Sequence, residues 1–532
     1  HVADPEAAMT SRRLLPCLLT LALLTTPAGA FERVGDKKIL VFAGRQEVPT
    51  IDPSVKYDWS IRMMQQSLYD ALVKYVGNPP EVVPWLAERW ESSPDAKTWT
   101  FHLVKHAKFH NGDPVTAEAV RWSFARTLKL NQGPAWMLSD FLKEDGIKVV
   151  NEHTIQFTLT QPYAPFLSFV PWWYVMNPKQ VLANEQGGDL GQKWLTDNEA
   201  GSGPFKIKRW QQGVLYEIEA VESYWKGWPS KDHVGGVILK LVRESAAQRA
   251  ALLRGEADIV EGLSADDYDQ VAKTPGVAVP NFPGMTTFGI KMNTQKAPTS
   301  DANLRKAIVH AFDYDALLKI YNGNAALQTS PFPNATRGHV AVPGIPRQDL
   351  AKAKEFLAKS AYPNGGIELE YVYVQGLEEE RKMGLVLIDN LGKLNLKVKM
   401  VPLTWPNMVG RGAKVESSPD LMAVFATPVS TDPDAVAYQY HKSSWGKYYG
   451  SSFYSNADVW GLIERARMLG KWEERAPLYA EIQKRIAADA PELFGMLANR
   501  RWGLRDHVKG FVFSPVRFTG EVDLYPLAIV AK

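Results

Sequence analysis

The sequence predicts an α/β protein. Strand-like and helix-like patterns alternate along nearly its whole length, and the turns between them carry glycine, proline or asparagine. No repeat, low-complexity tract or long Gly/Ser linker interrupts the alternation. At 532 residues the chain has room for two or three domains. Without linkers, those domains are expected to be joined by strands or short segments, as at a hinge.

The elements read as follows. Lys37-Lys38 lead into a short apolar strand over 39–43, and the periodicity of 59–73 is helical. Residues 99–103 are rich in β-formers, and Asn111-Gly112-Asp113-Pro114 is a turn. Thr116 then stands where an N-cap belongs, Glu118 suits the first turn of a helix, and Val120, Phe124 and Leu128 share one face. Further on, 237–242 reads as strand and 245–254 as helix, stopped by Gly255. A strand over 288–292 precedes helices over 304–311, 314–321 and 349–359. The turn at 362–366 leads to a strand over 368–374, a helix over 379–394 and a strand over 397–402. Two long helices, 457–468 and 472–488, follow.

Composition excludes some functions. The chain is 45% hydrophobic and 22% charged with a net charge of +3, both signs being plentiful, so nothing electrostatic argues for a nucleic-acid partner. Seventeen tryptophans and 11% aromatic residues are enough to fill large cores and also to line a ligand pocket. Near the start, Met9, Arg12 and Arg13 precede the apolar run from Leu14 to Leu24 and the small residues Ala28-Gly29-Ala30. That is the pattern of a secretory signal peptide cleaved after Ala30, with residues 1–8 an upstream extension. The run is too short to span a membrane. Cys17, the single cysteine, follows Leu15-Pro16 inside the run, whereas a lipid anchor needs small residues before its cysteine. A soluble periplasmic product without a lipid anchor is expected.

No nucleophile elbow, H-E-x-x-H, phosphate-binding loop or dinucleotide fingerprint occurs. His102, His106 and His110 are spaced four apart, but they run from a β-like stretch into a turn and need not converge. They read as structural or surface histidines, and neither a metal nor a cofactor is expected. Asp432-Pro433-Asp434 is open to two readings, a carboxylate pair for acid–base work or a turn whose side chains bond local amides. Nothing recommends an enzyme; an exported hydrolase with an unrecognised active site is the alternative.

The stretch Phe109-His110-Asn111-Gly112-Asp113-Pro114-Val115-Thr116-Ala117-Glu118-Ala119-Val120 resembles the F-H-x-G-x-P-x-T-A-x-D-V signature of family 5 bacterial extracellular solute-binding proteins. These are the peptide/nickel class that serves ABC importers. Ala119 departs from the usual aspartate. Thr50-Ile51-Asp52-Pro53, Tyr69-Asp70-Ala71-Leu72, Pro84-Trp85-Leu86-Ala87, Gly201-Ser202-Gly203-Pro204-Phe205, Gly255-Glu256-Ala257-Asp258-Ile259 and Leu304-Arg305-Lys306-Ala307-Ile308 are similar to further family motifs in the same order.

The resemblance implies a two-lobed periplasmic-binding-protein fold of cluster C type with an extra subdomain on lobe I. Lobe I would comprise 31–70, 200–287 and 497–532, the subdomain 71–199 and lobe II 288–496. The implied function is capture of a small solute by hinge closure and delivery to an ABC permease and its ATPase in the inner membrane. The protein would act as a monomer with affinity of about −8 kcal/mol or better. The solute classes are a peptide or peptide-like molecule, an oligosaccharide or an opine-like conjugate. In peptide-binding members an aspartate four positions before a motif proline captures the free amine; with Pro433 as that proline and Asp432 before it, the position falls on Val429. A buried ammonium facing valine would be unpaired, which argues against ordinary α-amino peptides. Trp405 matches a cleft tryptophan, or fills the lobe core; Arg411 lies near a basic position used for carboxylates, or is a solvated surface charge. Trp173, in Trp172-Trp173-Tyr174, is a ligand platform or part of a buried strand. Gln46 and Glu47, just after the first strand, complete the candidate contacts.

Overall fold

The computed structural model describes residues 33–34, 37–58, 61–343, 345, 347–518 and 520–530. The signal-peptide reading and Cys17 lie outside the described residues.

Two large sheets define two lobes. In the first, the parallel neighbours Lys37–Gly44 and Gly236–Leu241 run together from Ile39 opposite Gly236 to Gly44 opposite Leu241. Residues 39–43 are all buried, as a strand covered on both faces requires. Phe205–Gln211 and Leu215–Ala220 extend one side of this sheet, and Ile259–Val260, Gly503–Arg505 and Val277–Ala278 the other. The second lobe carries a six-stranded sheet in the order Ala325–Leu327, Glu492–Arg501, Asn281–Met292, Leu421–Ala426, Glu368–Val374, Lys397–Leu403.

Two neighbouring strands of the second sheet connect directly to strands of the first, Val277–Ala278 leading into one and Gly503–Arg505 following the other. Asn281–Met292 and Glu492–Arg501 pair antiparallel, from Asn281 opposite Arg501 at one end to Lys291 opposite Glu492 at the other. This pairing lengthens the strand read at 288–292, because its amino-terminal half is held by a partner some 200 residues away rather than by local propensity.

The extra subdomain is a four-stranded antiparallel sheet of Ala87–Ser92, Thr98–Leu103, Thr154–Thr158 and Ile147–Asn151, covered by the helix Ala117–Leu130. Thr116 caps that helix, its hydroxyl accepting from Ala119 N at 3.3 Å. Val120 and Phe124 are fully buried, and Phe124 packs 4.8 Å from Phe157 and 4.9 Å from Trp173.

The helix expected over 59–73 is much shorter, Arg62–Leu68. Tyr69 turns extended, Asp70–Ala71 pairs with Tyr174–Val175, and Val73–Val76 pairs with Glu81–Pro84. The Asp70 carboxylate is held by Trp85 Nε1 at 2.7 Å, Trp225 Nε1 at 2.8 Å, and Tyr224 OH and Ser202 Oγ at 2.9 Å. These tertiary bonds outweigh the local periodicity. The same joint explains the glycines of Gly201-Ser202-Gly203: a Cβ at Gly201 would fall 1.8 Å from Leu68 O, and one at Gly203 2.5 Å from Ser67 O.

Candidate ligand site between the lobes

A cavity of about 520 Å³ lies where the subdomain meets the second lobe. Tyr57 and the segment from Asn131 to Asp140, which follows the subdomain helix, form one wall. Thr427, Pro428 and Val429 form the other, with residues from Ala435 to Tyr449. That second wall begins at the carboxyl end of the strand Leu421–Ala426, within the second lobe's sheet, where open α/β sheets receive ligands.

Rings dominate the lining. Trp136 of the subdomain stacks on Tyr438 of the second lobe, with centroids 4.8 Å apart and planes at 22°. Tyr57 stands edge-on to Trp172 at 5.9 Å, and burial pushes its phenol up to about 12. Among the lining residues only Asp140 and Lys447 are charged, and both are exposed at the mouth. Behind the floor, the buried Arg500 donates to the hydroxyls of Thr286 and Thr427, which bond each other at 2.7 Å. Burial pulls its guanidinium down to about 10.

Beside the cavity the subdomain and the second lobe touch directly. Trp172 Nε1 donates to Val429 O at 2.7 Å, Tyr163 OH to Asp434 Oδ2 at 2.8 Å, and Ala164 N to Arg467 O at 3.1 Å. Tyr75 OH lies 3.2 Å from Ser430 Oγ. The acidic residues of this loop are neutralised within their own lobe: Asp434 by Arg467 at 2.6 Å, and Asp432 by both terminal nitrogens of Arg475 at 2.7 and 2.8 Å.

Of the residues singled out in the sequence, Val429 lines the cavity, 3% exposed. Trp405 opens the short helix Trp405–Arg411 and meets Tyr448, a lining residue, at 4.7 Å, one layer behind the wall. The others stand elsewhere. Asp432 points into its own lobe toward Arg475 and also accepts from Asp434 N at 3.0 Å, so Asp432-Pro433-Asp434 is a salt-bridged turn. Trp173 is buried against Phe124 in the subdomain core. Arg411 pairs with Glu370 and donates to Ser417 O at 2.8 Å. Glu47 accepts from Gln212 at 2.9 Å in the first lobe, and Gln46 beside it is half-buried. The histidines diverge. His102 meets Glu91, His106 lies against Trp225, and His110 is buried against Glu199 at 2.9 Å and Gly203 O at 2.8 Å. Among the described residues no group of three metal-ligating side chains converges.

Sequence reasoning missed Tyr57, Trp136, Tyr438, Lys447 and Tyr449. The tyrosine density from Tyr438 to Tyr454 was the one available signal.

The profile for bacterial extracellular solute-binding proteins, family 5 (middle), matches residues 81–448. The chain belongs to this family. Its relatives include the probable D,D-dipeptide-binding periplasmic protein DdpA of Escherichia coli, 32% identical over 516 residues, which cover 94% of this chain and 96% of that protein. The dipeptide-binding protein of Escherichia coli is 26% identical over 477 residues, covering 84% and 87%. Among solved structures, the periplasmic binding protein DppA of Helicobacter pylori in complex with the peptide STSA superposes with a TM-score of 0.82 at 25% identity, covering 92% of this chain and 98% of that one. These family 5 relatives are binding proteins rather than enzymes, and the two-lobed α/β architecture expected from the motifs is theirs. Among the described residues no helix is long and apolar enough to cross a membrane.

Proposed function

We propose that this family 5 protein is the periplasmic solute-capturing component of an ABC importer, and that it holds a short peptide-like solute lacking a free α-amine between its lobes. The observation that carries this reading is the cavity of about 520 Å³ walled by both lobes. Its size lies within the range of roughly 300–1,000 Å³ usual for small-molecule sites. A solute touching both walls favours the closed arrangement over an open one, since only the closed state makes both sets of contacts. The connecting strands Asn281–Met292 and Glu492–Arg501 supply the hinge, and the closed, loaded form is what a membrane permease would receive.

The names of the relatives favour peptides: a probable D,D-dipeptide in one, dipeptides in another. The wall qualifies that class. Val429 stands where peptide-binding members are expected to carry their amine-capturing carboxylate, and its neighbours Ala435 and Tyr438 add no anion. A free ammonium buried beside Val429 would lack a partner on that wall, the cavity's one carboxylate, Asp140, belonging to the other. An acylated or otherwise modified peptide, or an opine-like conjugate, meets no such penalty.

Calorimetric titration with alanyl-phenylalanine and its N-acetyl derivative tests this. The acetylated form should bind the wild type more tightly, and Val429→Asp should tighten the free dipeptide by about tenfold or more, as a new hydrogen bond to a charged group would. Equal, tight binding of the free dipeptide by the wild type would remove the amine argument. Recovery of cleaved peptide would favour a hydrolase instead.

A further inference from the structure

Lys447 is the one cation among the residues lining the cavity. It stands on the tyrosine-rich segment of the second lobe, and its ammonium is bonded to the Tyr438 hydroxyl. Tyr438 OH donates onward to Ser443 O at 3.2 Å, so its oxygen accepts from the lysine and fixes where the ammonium sits. From there the ammonium lies 4.8 Å from the Tyr438 ring and 5.6 Å from the Trp136 ring, at the seam where one ring from each wall meets the other.

An ammonium carries three N–H donors. Tyr438 takes one, and among the described residues no carboxylate lies within ion-pair distance to take another. Asp140, at the opposite lip, is the carboxylate whose charge reaches it, while Arg467 repels it. The residue reaches solvent, but partial desolvation of its ammonium beside the rings, the largest influence, holds the lysine below its ordinary pKa. Arg467 does not share this condition, because Asp434 pairs with it directly.

Taking the interlobe cavity as the solute site, we infer that Lys447 is the solute's counter-charge and receives a carboxylate, so that the protein selects solutes ending in a free acid. As a lining residue, Lys447 can offer a remaining donor to a carboxylate held in the cavity, and the stacked Trp136 and Tyr438 rings shield one side of that contact. With Val429 on the same wall refusing a free amine, the recognised class is an amine-blocked carboxylic acid.

The test uses N-acetyl-alanyl-phenylalanine and its C-terminal amide, titrated calorimetrically into the full chain. The wild type should prefer the acid by about tenfold to a hundredfold, the range for a hydrogen bond to a charged group. Lys447→Met should abolish the preference by weakening the acid alone, and Lys447→Arg should keep most of it. Trp136→Ala, which removes a wall ring without touching charge, should weaken acid and amide alike. A preference that survives in Lys447→Met overturns the inference, as does failure of the wild type to bind the acid. If Trp136→Ala changes neither ligand's affinity, the cavity is not the solute site, and the functional reading fails with it.

Discussion

The subdomain has two joints, and they are built differently. Toward the first lobe it is tied by buried charge. Arg126 grips Asp52 through both terminal nitrogens at 2.8 and 2.6 Å with each side chain 1% exposed, and Lys74 pairs with Asp523 at 2.8 Å. His110 adds its contact to Glu199, on the segment leading back into the first lobe. Toward the second lobe the contacts are neutral groups reaching across: the Tyr163 and Tyr75 hydroxyls, the Trp172 indole and the Trp136 ring. Among the described residues no ion pair crosses this second joint; Asp432 and Asp434 are satisfied by Arg475 and Arg467 of their own lobe.

Physical chemistry accounts for the contrast. Breaking a buried ion pair leaves a charge without its partner, at about 3–5 kcal/mol, whereas a typical hydrogen bond contributes about 0.5–1.5 kcal/mol net. Under the proposed hinge closure, the joint that separates can be held by the second kind of contact and not by the first.

Asp52→Ala should therefore show the largest effect. It strands Arg126, and chemical denaturation of the solute-free protein should report a loss of about 3–5 kcal/mol. A loss below about 1 kcal/mol would erase the distinction between the joints. Next comes Tyr163→Phe, which removes one cross-lobe donor to a carboxylate. The expected change is about 1.5–3 kcal/mol, read in solute affinity and in the closed fraction seen by X-ray scattering. The denaturation midpoint of the solute-free protein should move little, and an equal shift there would mean that the two joints are one.

The smallest effect concerns His110. Burial pulls its pKa down, but the Glu199 carboxylate more than offsets this, so the net value lies above the ordinary 6.5. A raised folded-state pKa gives stability that is complete below the unfolded value and is lost as pH rises through the folded one. The fixed joint should thus weaken toward alkaline pH. The stability difference between wild type and His110→Asn should shrink as pH rises from about 6 toward 9; a difference that stays constant would show that folding leaves the histidine's pKa unchanged.

Local signals carried the elements they can reach. Thr116 caps its helix, Gly255 ends the helix Ser245–Arg254 at φ 75°, and the strand Glu368–Val374 and helix Ala457–Met468 fall where their patterns place them. A cap or a hydrophobic stripe acts within a few residues, so one chain position suffices to read it. Arg62–Leu68 broke the rule because Asp70 answers to Trp85, Ser202, Tyr224 and Trp225, which arrive from elsewhere in the chain.

The sequence by itself determined the α/β class, most element boundaries away from the lobe joints, and the family motifs with the fold they imply. Only the tertiary structure decided which side chains share the cavity. Trp136 and Tyr438 are some 300 residues apart yet stack. Val429 and Asp432, three positions apart, face opposite ways, one to the cavity and the other to Arg475. The physical reason is range. Backbone conformation answers to neighbours along the chain, while burial and charge pairing answer to whatever folding brings alongside.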